Sequence, residues 1–478
     1  MAEILTPDLC VIGAGSGGLA VAVAARAHGA SVVVVERDKL GGESLNATCI
    51  PSKALVAAGH HAHAVRGGAP FGIAADEPRI NSRKLHDHVQ EVIASLAPED
   101  SVSRMEALGV EIAKAEARFV DPRTLSAGET LIRARRFVIA TGSRSLLPEI
   151  PGLLGVPYFT TETIFDNTRK LTHLVIIGAG SVGLELAQAY NRLGTEVTVV
   201  EPARPLPESD PELAEIALRR MREEGVDIRA ETEVSLIQAR SQGIGVIVKS
   251  GGREEMLDAS HILVAIGRVP NLDSLDLDKA RIRRSRSDPH RLEIGAGLKT
   301  TNRRVYAIGD AAGGPQMAHL ADYQAGIVVR NALFGLPLRQ RPELIPSVTY
   351  TDPEIAEVGL TEAAARRRRK DDFIVTRWSF AQNDRARILH QSFGVAKLIT
   401  DRRGRVLGAG IAGSAAGELI ALFSFAIANR LSTRHLAAFV APYPTLSDIA
   451  RCLGLEVERR QVANPVLRGL MAVNRLLP

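Results

Sequence analysis

The chain has 478 residues, of which 45% are hydrophobic and 24% are charged. That length is too great for one hydrophobic core and predicts about two to four domains. A net charge of only +5, with 4% aromatic residues, argues against a nucleic-acid-binding face or a base-stacking platform. Three cysteines are too few for a disulfide framework and are typical of a reducing compartment. Because neither a signal peptide nor an apolar membrane span is visible, we expect a cytoplasmic protein without a membrane span.

The first pattern along the chain is a strand, a glycine-rich turn, a helix and a second strand. The apolar run Leu9–Ile12 enters the turn, and residues 19–28 have helical composition. The turn has a GxGxxG motif, and an acidic residue follows 18 residues after its last glycine: Gly13, Gly15, Gly18 and Glu36. The glycines permit a tight turn and close approach of a pyrophosphate, and the acid binds ribose hydroxyls. This spacing therefore predicts a dinucleotide site.

The same pattern returns 165 residues later, with Gly178, Gly180 and Gly183 in the turn and Glu201 as the acid. Two complete copies predict two separate dinucleotide-binding domains in one chain. A carboxylate at the position of Glu201 binds a ribose 2′-hydroxyl and repels a 2′-phosphate. NADH is therefore expected as the nicotinamide cofactor, although the nearby Arg204 leaves NADPH possible.

The rest of the chain completes these units and adds a third block. Predicted strands over 137–140 and 262–266 close the two units, and from Pro346 onward strands alternate with helices without a nucleotide motif. The fold class is therefore α/β, with two Rossmann-like domains and a C-terminal α+β domain. The predicted domains are residues 1–154 and 276–345 as the two parts of the first domain, 155–275 as the second domain, and 346–478 as the third.

One segment after the first unit is the most informative of the chain: Gly41-Gly42-Glu43-Ser44-Leu45-Asn46-Ala47-Thr48-Cys49-Ile50-Pro51-Ser52-Lys53. It resembles the redox-active segment of the pyridine nucleotide–disulfide oxidoreductases, in which two cysteines separated by four residues carry electrons between flavin and substrate. Further matches follow in the same order: Ala140-Thr141-Gly142, Ile266-Gly267-Arg268, Ile308-Gly309-Asp310 and Thr351-Asp352-Pro353-Glu354. The resemblance covers essentially the whole chain.

The resemblance implies FAD and NADH as cofactors and a homodimer formed through the third domain. It places Asp310 on the FAD ribitol, and Lys53 near the flavin in a pair with Glu185. It also implies an active site completed by Tyr443 and Asp448 of the partner subunit. The cofactor-binding residues expected on motif and resemblance together are Gly13, Gly15, Gly18, Glu36, Gly42, Thr141, Gly142, Asp310, Gly178, Gly180, Gly183, Glu201 and Arg268.

Two departures from the family pattern bear on the chemistry. Ser44 stands where the family has its substrate-exchanging cysteine, whereas Cys49 keeps the flavin-contacting one at the start of a predicted helix, where the dipole favours a thiolate. Tyr443 and Asp448 stand where lipoamide dehydrogenase and glutathione reductase have a His–Glu acid–base dyad. Tyr443 resembles the mercuric reductase branch, but only Cys452 lies in the late region where that branch has two adjacent cysteines. Mercuric reductase activity is therefore not expected.

Three functions remain open for this sequence. In the first hypothesis, the chain is an FAD-dependent reductase of disulfides or another small-molecule acceptor, with Ser44 as an introduced Cys→Ser change. Alternatively, it is a natural single-cysteine NADH-dependent reductase of a quinone, a metal ion or oxygen. A third hypothesis, a redox-inactive FAD-binding scaffold, has no need of Cys49 and Lys53.

Other patterns are interpreted as structural. The histidines at 60, 61 and 63 are expected on solvent-exposed helix faces rather than as a metal site. The basic run 366–370 is expected to be a solvated helix end, and the tail 451–478 an amphipathic packing helix or surface arm rather than a membrane anchor.

Overall fold

The computed structural model describes residues 4–461 and 465–475, and its first layer is a five-stranded parallel sheet. Parallel sheets covered on both faces are built from continuous apolar runs, as in the fully buried strand Leu9–Ile12. One face packs against the helices Ser16–Ala27 and Ala318–Phe334, and the other against a four-stranded sheet. In spatial order the parallel strands are Val305–Ala307, Arg136–Ile139, Leu9–Ile12, Val32–Glu36 and Val110–Lys114; the covering strands are Ile4–Leu5, Thr130–Ile132, Thr124–Ala127 and Ala117–Asp121.

A second five-stranded parallel sheet repeats this arrangement. The helix Ser181–Arg192 packs on one face, and a three-stranded antiparallel sheet covers the other. The parallel strands in spatial order are Phe159–Thr160, His261–Val264, His173–Ile177, Glu196–Val200 and Asp227–Arg229; the covering strands are Glu233–Ala239, Ile244–Ser250 and Arg253–Ala259. The two Rossmann-like units predicted from the repeated pattern are confirmed.

The third layer is a five-stranded antiparallel sheet with helices on one side, as predicted for an α+β domain. The helices Ala416–Ala428 and Asp448–Gln461 supply most of its core partners. In spatial order the strands are Ser347–Thr349, Glu354–Gly359, Val406–Gly413, Val395–Thr400 and Ile374–Ser379. The other helices of the described chain are Gly42–Asn46, Cys49–Arg66, Ser82–Leu96, Val102–Ala107, Pro211–Glu223, Glu362–Arg369, Asp384–Ile388, Thr433–Ala438 and Pro465–Asn474.

The path of the chain joins the two Rossmann-like units in two places. After the second sheet, the chain returns to the first one at Val305–Ala307, which pairs with Arg136–Ile139. A two-stranded ladder also joins Ser143–Ser145 to Arg268–Pro270. The residue boundaries of the domains stay a prediction.

The tail 451–478, predicted as an amphipathic packing helix or surface arm, lies partly outside the described residues, which exclude 462–464 and 476–478. The described residues of this region are helical over Asp448–Gln461 and Pro465–Asn474. Among the described helices, none is long and apolar enough to cross a membrane.

Candidate functional site

The two predicted glycine turns have the same stereochemistry. Gly13 and Gly178 have φ of +104° and +108°, and an added Cβ would collide with the carbonyl oxygen of a neighbouring strand end. A Cβ at Gly18 or Gly183 would overlap the carbonyl oxygen of the first glycine in its own motif. Only glycine satisfies both requirements, because the turn needs a positive φ and the helix must approach the strand closely.

The helices that follow these turns begin without a side-chain cap. Gly15 and Gly180 are the N-cap residues of Ser16–Ala27 and Ser181–Arg192, and neither helix has an acidic residue in its first turn. Side chains do cap other helices, as Asn81 caps Ser82–Leu96. Free N–H groups at a helix N-terminus bind phosphate oxygens well, so both turns fit a pyrophosphate.

The acidic residues of the two motifs also occupy equivalent places. Glu36 accepts the Ala14 N–H at 2.7 Å and the Asp38 N–H at 2.8 Å. Glu201 accepts the Ala179 N–H at 2.9 Å and the Ala203 N–H at 3.0 Å. These bonds fix each carboxylate beside its glycine turn, and each oxygen keeps a lone pair for a ribose hydroxyl.

A cavity of about 610 Å³ runs along the first turn and brings together most of the predicted site residues. It is bounded by the glycine turn, the cysteine segment and the Gly309–Ala312 turn. The predicted residues that line it are Gly13, Gly15, Glu36, Gly42, Ser44, Cys49, Lys53, Thr141, Gly142, Arg268 and Asp310. Its length and donor groups fit FAD, with phosphates at the uncapped helix.

The cysteine segment is pressed against the glycine turn by a contact that the sequence did not predict. Gly15 and Gly41 form a parallel bridge, and Gly42, at φ +58°, would place a Cβ 2.7 Å from the Gly15 Cα. Both glycines of the pair Gly41-Gly42 are therefore needed for close backbone packing. The pair itself was the signal that would have indicated it.

Cys49 and Lys53 lie on one face of the helix Cys49–Arg66, one turn apart. Lys53 Nζ lies 2.7 Å from Glu185 Oε2, and Glu185 is only 2% exposed. The same ammonium lies 4.6 Å from the centre of the Tyr350 ring. The backbone N–H of Tyr350 donates to Glu185 Oε1 at 2.9 Å. The structure thus brings Lys53 and Glu185 together and adds Tyr350. Sequence reasoning missed Tyr350, although it directly precedes the matched segment from Thr351.

Asp310 and Arg268 meet at another wall of the cavity. Burial raises the pKa of Asp310, whose Oδ2 accepts the Ser143 hydroxyl at 2.5 Å. Arg268 donates from Nε to the Ser143 Oγ at 2.8 Å and forms ion pairs with Glu43 and Glu162. Sequence reasoning missed Ser143, Glu43 and Glu162 as site residues, although Glu43 lies within the matched cysteine segment and Ser143 directly follows Ala140-Thr141-Gly142.

Tyr443 and Asp448 lie outside this cavity and have separate partners. Tyr443 is 80% exposed, and its hydroxyl donates to Asp384 Oδ2 at 3.0 Å, which raises the pKa of the phenol. Asp448 accepts Arg451 Nε at 2.6 Å, and this bond lowers the pKa of its carboxyl. The Cys452 thiol donates to the same carboxylate at 3.3 Å.

The prediction of solvent-exposed histidines at 60, 61 and 63 is wrong for His60 and His63. Only His61 is exposed; His60 and His63 are half-buried beside Arg192 and Asp352, and burial lowers the pKa of both. The Nε2 atom of His60 is buried without a hydrogen-bond partner. The helix face expected to meet water instead packs on the helix Ser181–Arg192. In the described ranges no group of three potential ligands is placed to hold a metal ion.

Two uncapped helix N-termini on parallel sheets, each with its acidic residue, define a protein that binds two dinucleotides. The sequence profile of the pyridine nucleotide-disulphide oxidoreductases matches residues 7–325, and the profile of their dimerisation domain matches 345–451. The chain belongs to this family. It is therefore an FAD-dependent, NAD(P)H-using oxidoreductase that forms a homodimer.

Relatives that are named for different activities are similar to the chain at nearly the same sequence identity. Dihydrolipoyl dehydrogenase 3 of Pseudomonas aeruginosa is 35% identical, over 96% of this chain and 99% of its own. The mercuric reductase of Bacillus cereus is 33% identical, over 92% of this chain and 70% of its own. Among solved structures, the Cu(II) complex of the HOCl-induced flavoprotein disulfide reductase RclA of Escherichia coli superposes with a TM-score of 0.82 at 26% identity, covering 95% and 99% of the two chains.

Proposed function

We propose that this protein is an NADH-dependent flavin oxidoreductase that passes electrons to a quinone or a metal ion without an intramolecular dithiol cycle. The observation that carries the proposal is the lining of the 610 Å³ cavity, where Cys49 is the one cysteine among the described lining residues. Cys10 is fully buried in the first sheet, and Cys452 is bonded to Asp448 elsewhere. A lone sulfur cannot close a disulfide within the site, and the Ser44 hydroxyl is a poor nucleophile without an adjacent base.

FAD, when bound, supplies hydride acceptance from the nicotinamide and release of electrons to the acceptor. The side chains and backbone of the protein would bind this cofactor and adjust its charge. The free N–H groups after Gly15 would bind the pyrophosphate, and Glu36 and Asp310 would bind the sugar hydroxyls. Lys53 would hold a positive charge near the flavin ring and favour its anionic reduced state, and Glu185 would limit the cost of burying that charge. Cys49 supplies a polarisable sulfur on the same face.

The residues at the predicted dyad positions support an acceptor that needs no thiol exchange. The hydrogen bond to Asp384 raises the pKa of Tyr443, so at neutral pH this phenol donates a proton but does not remove one. Asp448 is held by Arg451 and Cys452. This arrangement contains no general base for a dithiol, whereas a quinone or metal ion takes electrons directly.

Arg204 supports NADH as the electron donor. Its Nη2 donates to the carbonyl oxygens of Leu206, Pro207 and Ser209 at 3.3, 2.9 and 3.1 Å. A guanidinium engaged in this way is turned away from a 2′-phosphate, while the Glu201 carboxylate beside the turn would repel one. NADH is therefore expected to have the higher kcat/KM.

The test is an anaerobic titration with NADH, followed by flavin absorbance, on this protein and on its Ser44→Cys variant. The proposal predicts complete bleaching in both proteins and equal rates of quinone or ferric reduction.

A second candidate is supported by the intact segment around Ser44: a disulfide reductase trapped by a Cys→Ser change. Disulfide reduction gained only by Ser44→Cys, with quinone reduction lost, would establish that candidate instead. Absence of bleaching in both proteins would contradict any redox function.

A further inference from the structure

A second cavity, of about 340 Å³, lies behind the helix Cys49–Arg66. Its other walls are the helix Ser82–Leu96, the segments 77–80 and 164–171, and the end of the helix Ser181–Arg192. Within the described chain, Phe165 is the only lining residue that it shares with the 610 Å³ cavity. The second cavity is therefore a separate compartment, and neither nucleotide motif contributes to it.

Apolar side chains form about half of the walls of this second cavity, and polar or charged side chains form most of the rest. Cavities of a few hundred Å³ with apolar walls and a small number of placed polar groups are typical small-molecule sites. Its volume, near the lower end of that range, suits a single substituted ring. The apolar lining residues are Leu55, Ile80, Leu85, Val89, Ile164, Phe165, Leu171 and Leu193.

Tyr190 provides a hydrogen-bond donor among these apolar side chains. It is 7% exposed, and its hydroxyl makes no hydrogen bond within the described residues. Burial raises the pKa of the phenol, so it keeps its proton at neutral pH. An acceptor atom on a bound molecule would give this donor the hydrogen-bond partner that the described residues do not supply.

The mouth of the second cavity is cationic. Arg66, Arg79, Arg169 and Lys170 line it together with one carboxylate, Glu77. Glu77 is already paired with Arg66, whose Nε lies 2.6 Å from its Oε1. Across the described ranges, no carboxylate lies within 4.0 Å of the charged groups of Arg79, Arg169 or Lys170. The uncompensated charge attracts anions.

We propose that this second cavity binds a small aromatic carboxylate that carries an oxygen acceptor at the opposite end of its ring. The ring packs among the apolar side chains, and the acceptor accepts a hydrogen bond from the Tyr190 hydroxyl. The carboxylate lies at the mouth beside Arg79, Arg169 and Lys170. This inference is independent of the electron acceptor proposed above.

The proposal is tested by isothermal titration calorimetry on the FAD-loaded dimer saturated with NAD⁺, which keeps the probe out of the nucleotide sites. The probe is 4-acetylbenzoate. Two matched compounds each remove one feature: 4-ethylbenzoate lacks the acceptor, and 4-acetylbenzamide lacks the charge. One saturable site per chain is expected for 4-acetylbenzoate, with each matched compound binding at least about fivefold more weakly.

Variants then assign that site to this cavity. Tyr190→Phe should remove the preference for 4-acetylbenzoate over 4-ethylbenzoate. The double variant Arg79→Gln/Lys170→Gln should weaken binding about fivefold and flatten its salt dependence. Arg83→Gln changes an exposed cation of the helix Ser82–Leu96 that does not line the cavity, and it should have no effect. The two mouth residues are on the surface, so the double variant remains informative if Tyr190→Phe fails to fold.

Three results would overturn the proposal. The first is the absence of saturable heat with 4-acetylbenzoate, and the second is equal affinity for the acid and the amide. The third is unchanged binding in Arg79→Gln/Lys170→Gln, which would place the probe elsewhere on the dimer.

Discussion

At the residue scale, the charge of Lys53 is controlled by two groups from other parts of the fold. The Glu185 carboxylate lies 2.7 Å from its ammonium, and the Tyr350 ring faces it at 4.6 Å. Glu185 also accepts the Tyr350 N–H, so the carboxylate fixes both the cation and the ring. If Lys53 lies beside the isoalloxazine, as the resemblance implies, its charge would stabilise the reduced flavin, and this cluster would set how strongly the flavin holds electrons.

Replacing Glu185 with Gln should make the reduction potential of the bound FAD more positive. The amide keeps an acceptor for the Tyr350 N–H but no longer neutralises Lys53, so the full positive charge acts on the reduced flavin. Spectroelectrochemical titration measures the shift. Glu215→Gln, an exposed change on another helix, serves as the control and should leave the potential unchanged. A potential equal to that of the parent protein would show that Lys53 does not act on the flavin.

At the element scale, the two glycine turns were predictable because their determinants are local. A positive φ at the first glycine and close contact at the third are properties of six consecutive residues, which the sequence spacing records. The neighbours of Lys53 and Arg268 could not be predicted in this way. Tyr350 comes beside Lys53, and Glu162 beside Arg268, only after the chain has folded, and no local pattern predicts either contact.

The burial of His60 is a second feature that the local sequence could not predict. Local composition suggested a polar helix face, but the helix Ser181–Arg192, more than 120 residues later, packs against it. Long-range packing of this kind overrides a local hydropathy pattern.

Replacing Gly183 with Ala should destabilise the second dinucleotide unit by about 1 to 3 kcal/mol, because the new Cβ would overlap the Gly178 carbonyl oxygen. Gly326→Ala is the matched change. It lies inside the helix Ala318–Phe334 with open space around the new methyl group, so helix propensity should stabilise it by up to about 1 kcal/mol. Thermal unfolding of both variants checks the prediction. Equal melting temperatures would contradict the close approach of helix and strand.

At the scale of the whole molecule, a buried charged cluster joins the second Rossmann-like unit to the antiparallel sheet. Lys397, only 3% exposed, lies 2.8 Å from Asp210 and 2.9 Å from Glu212. Glu357 accepts the Asp210 backbone N–H at 3.2 Å. None of these four groups was marked by a motif in the sequence, because their pairing depends on how the second Rossmann-like unit meets the antiparallel sheet.

Glu357 should make stability depend on pH. Burial raises its pKa to about 7, above the ordinary value of 4.5. The folded state therefore favours the protonated carboxyl, so the stability contributed by Glu357 is fully present below pH 4.5 and declines as the pH rises through 7.

Glu357→Gln removes this titration while keeping an acceptor for Asp210. Its melting temperature, relative to the parent protein, should rise between pH 5 and pH 8 by on the order of 2 to 5 °C. Differential scanning calorimetry at both pH values measures the difference. A constant difference would mean that Glu357 is ionised throughout this range.

The exposure of Tyr443 has a consequence for how the enzyme behaves on dilution. Val440 and Tyr443 are 87% and 80% exposed in the single chain, and both lie within the dimerisation domain. If Tyr443 serves the neighbouring subunit, as the resemblance implies, a dissociated subunit loses turnover as well as buried area. Specific activity should then fall as the protein is diluted below the dissociation constant of the dimer, and sedimentation velocity should show monomer over the same concentrations. Under those conditions, the amount of enzyme in a cell would control both the number of active sites and the fraction of them that are complete.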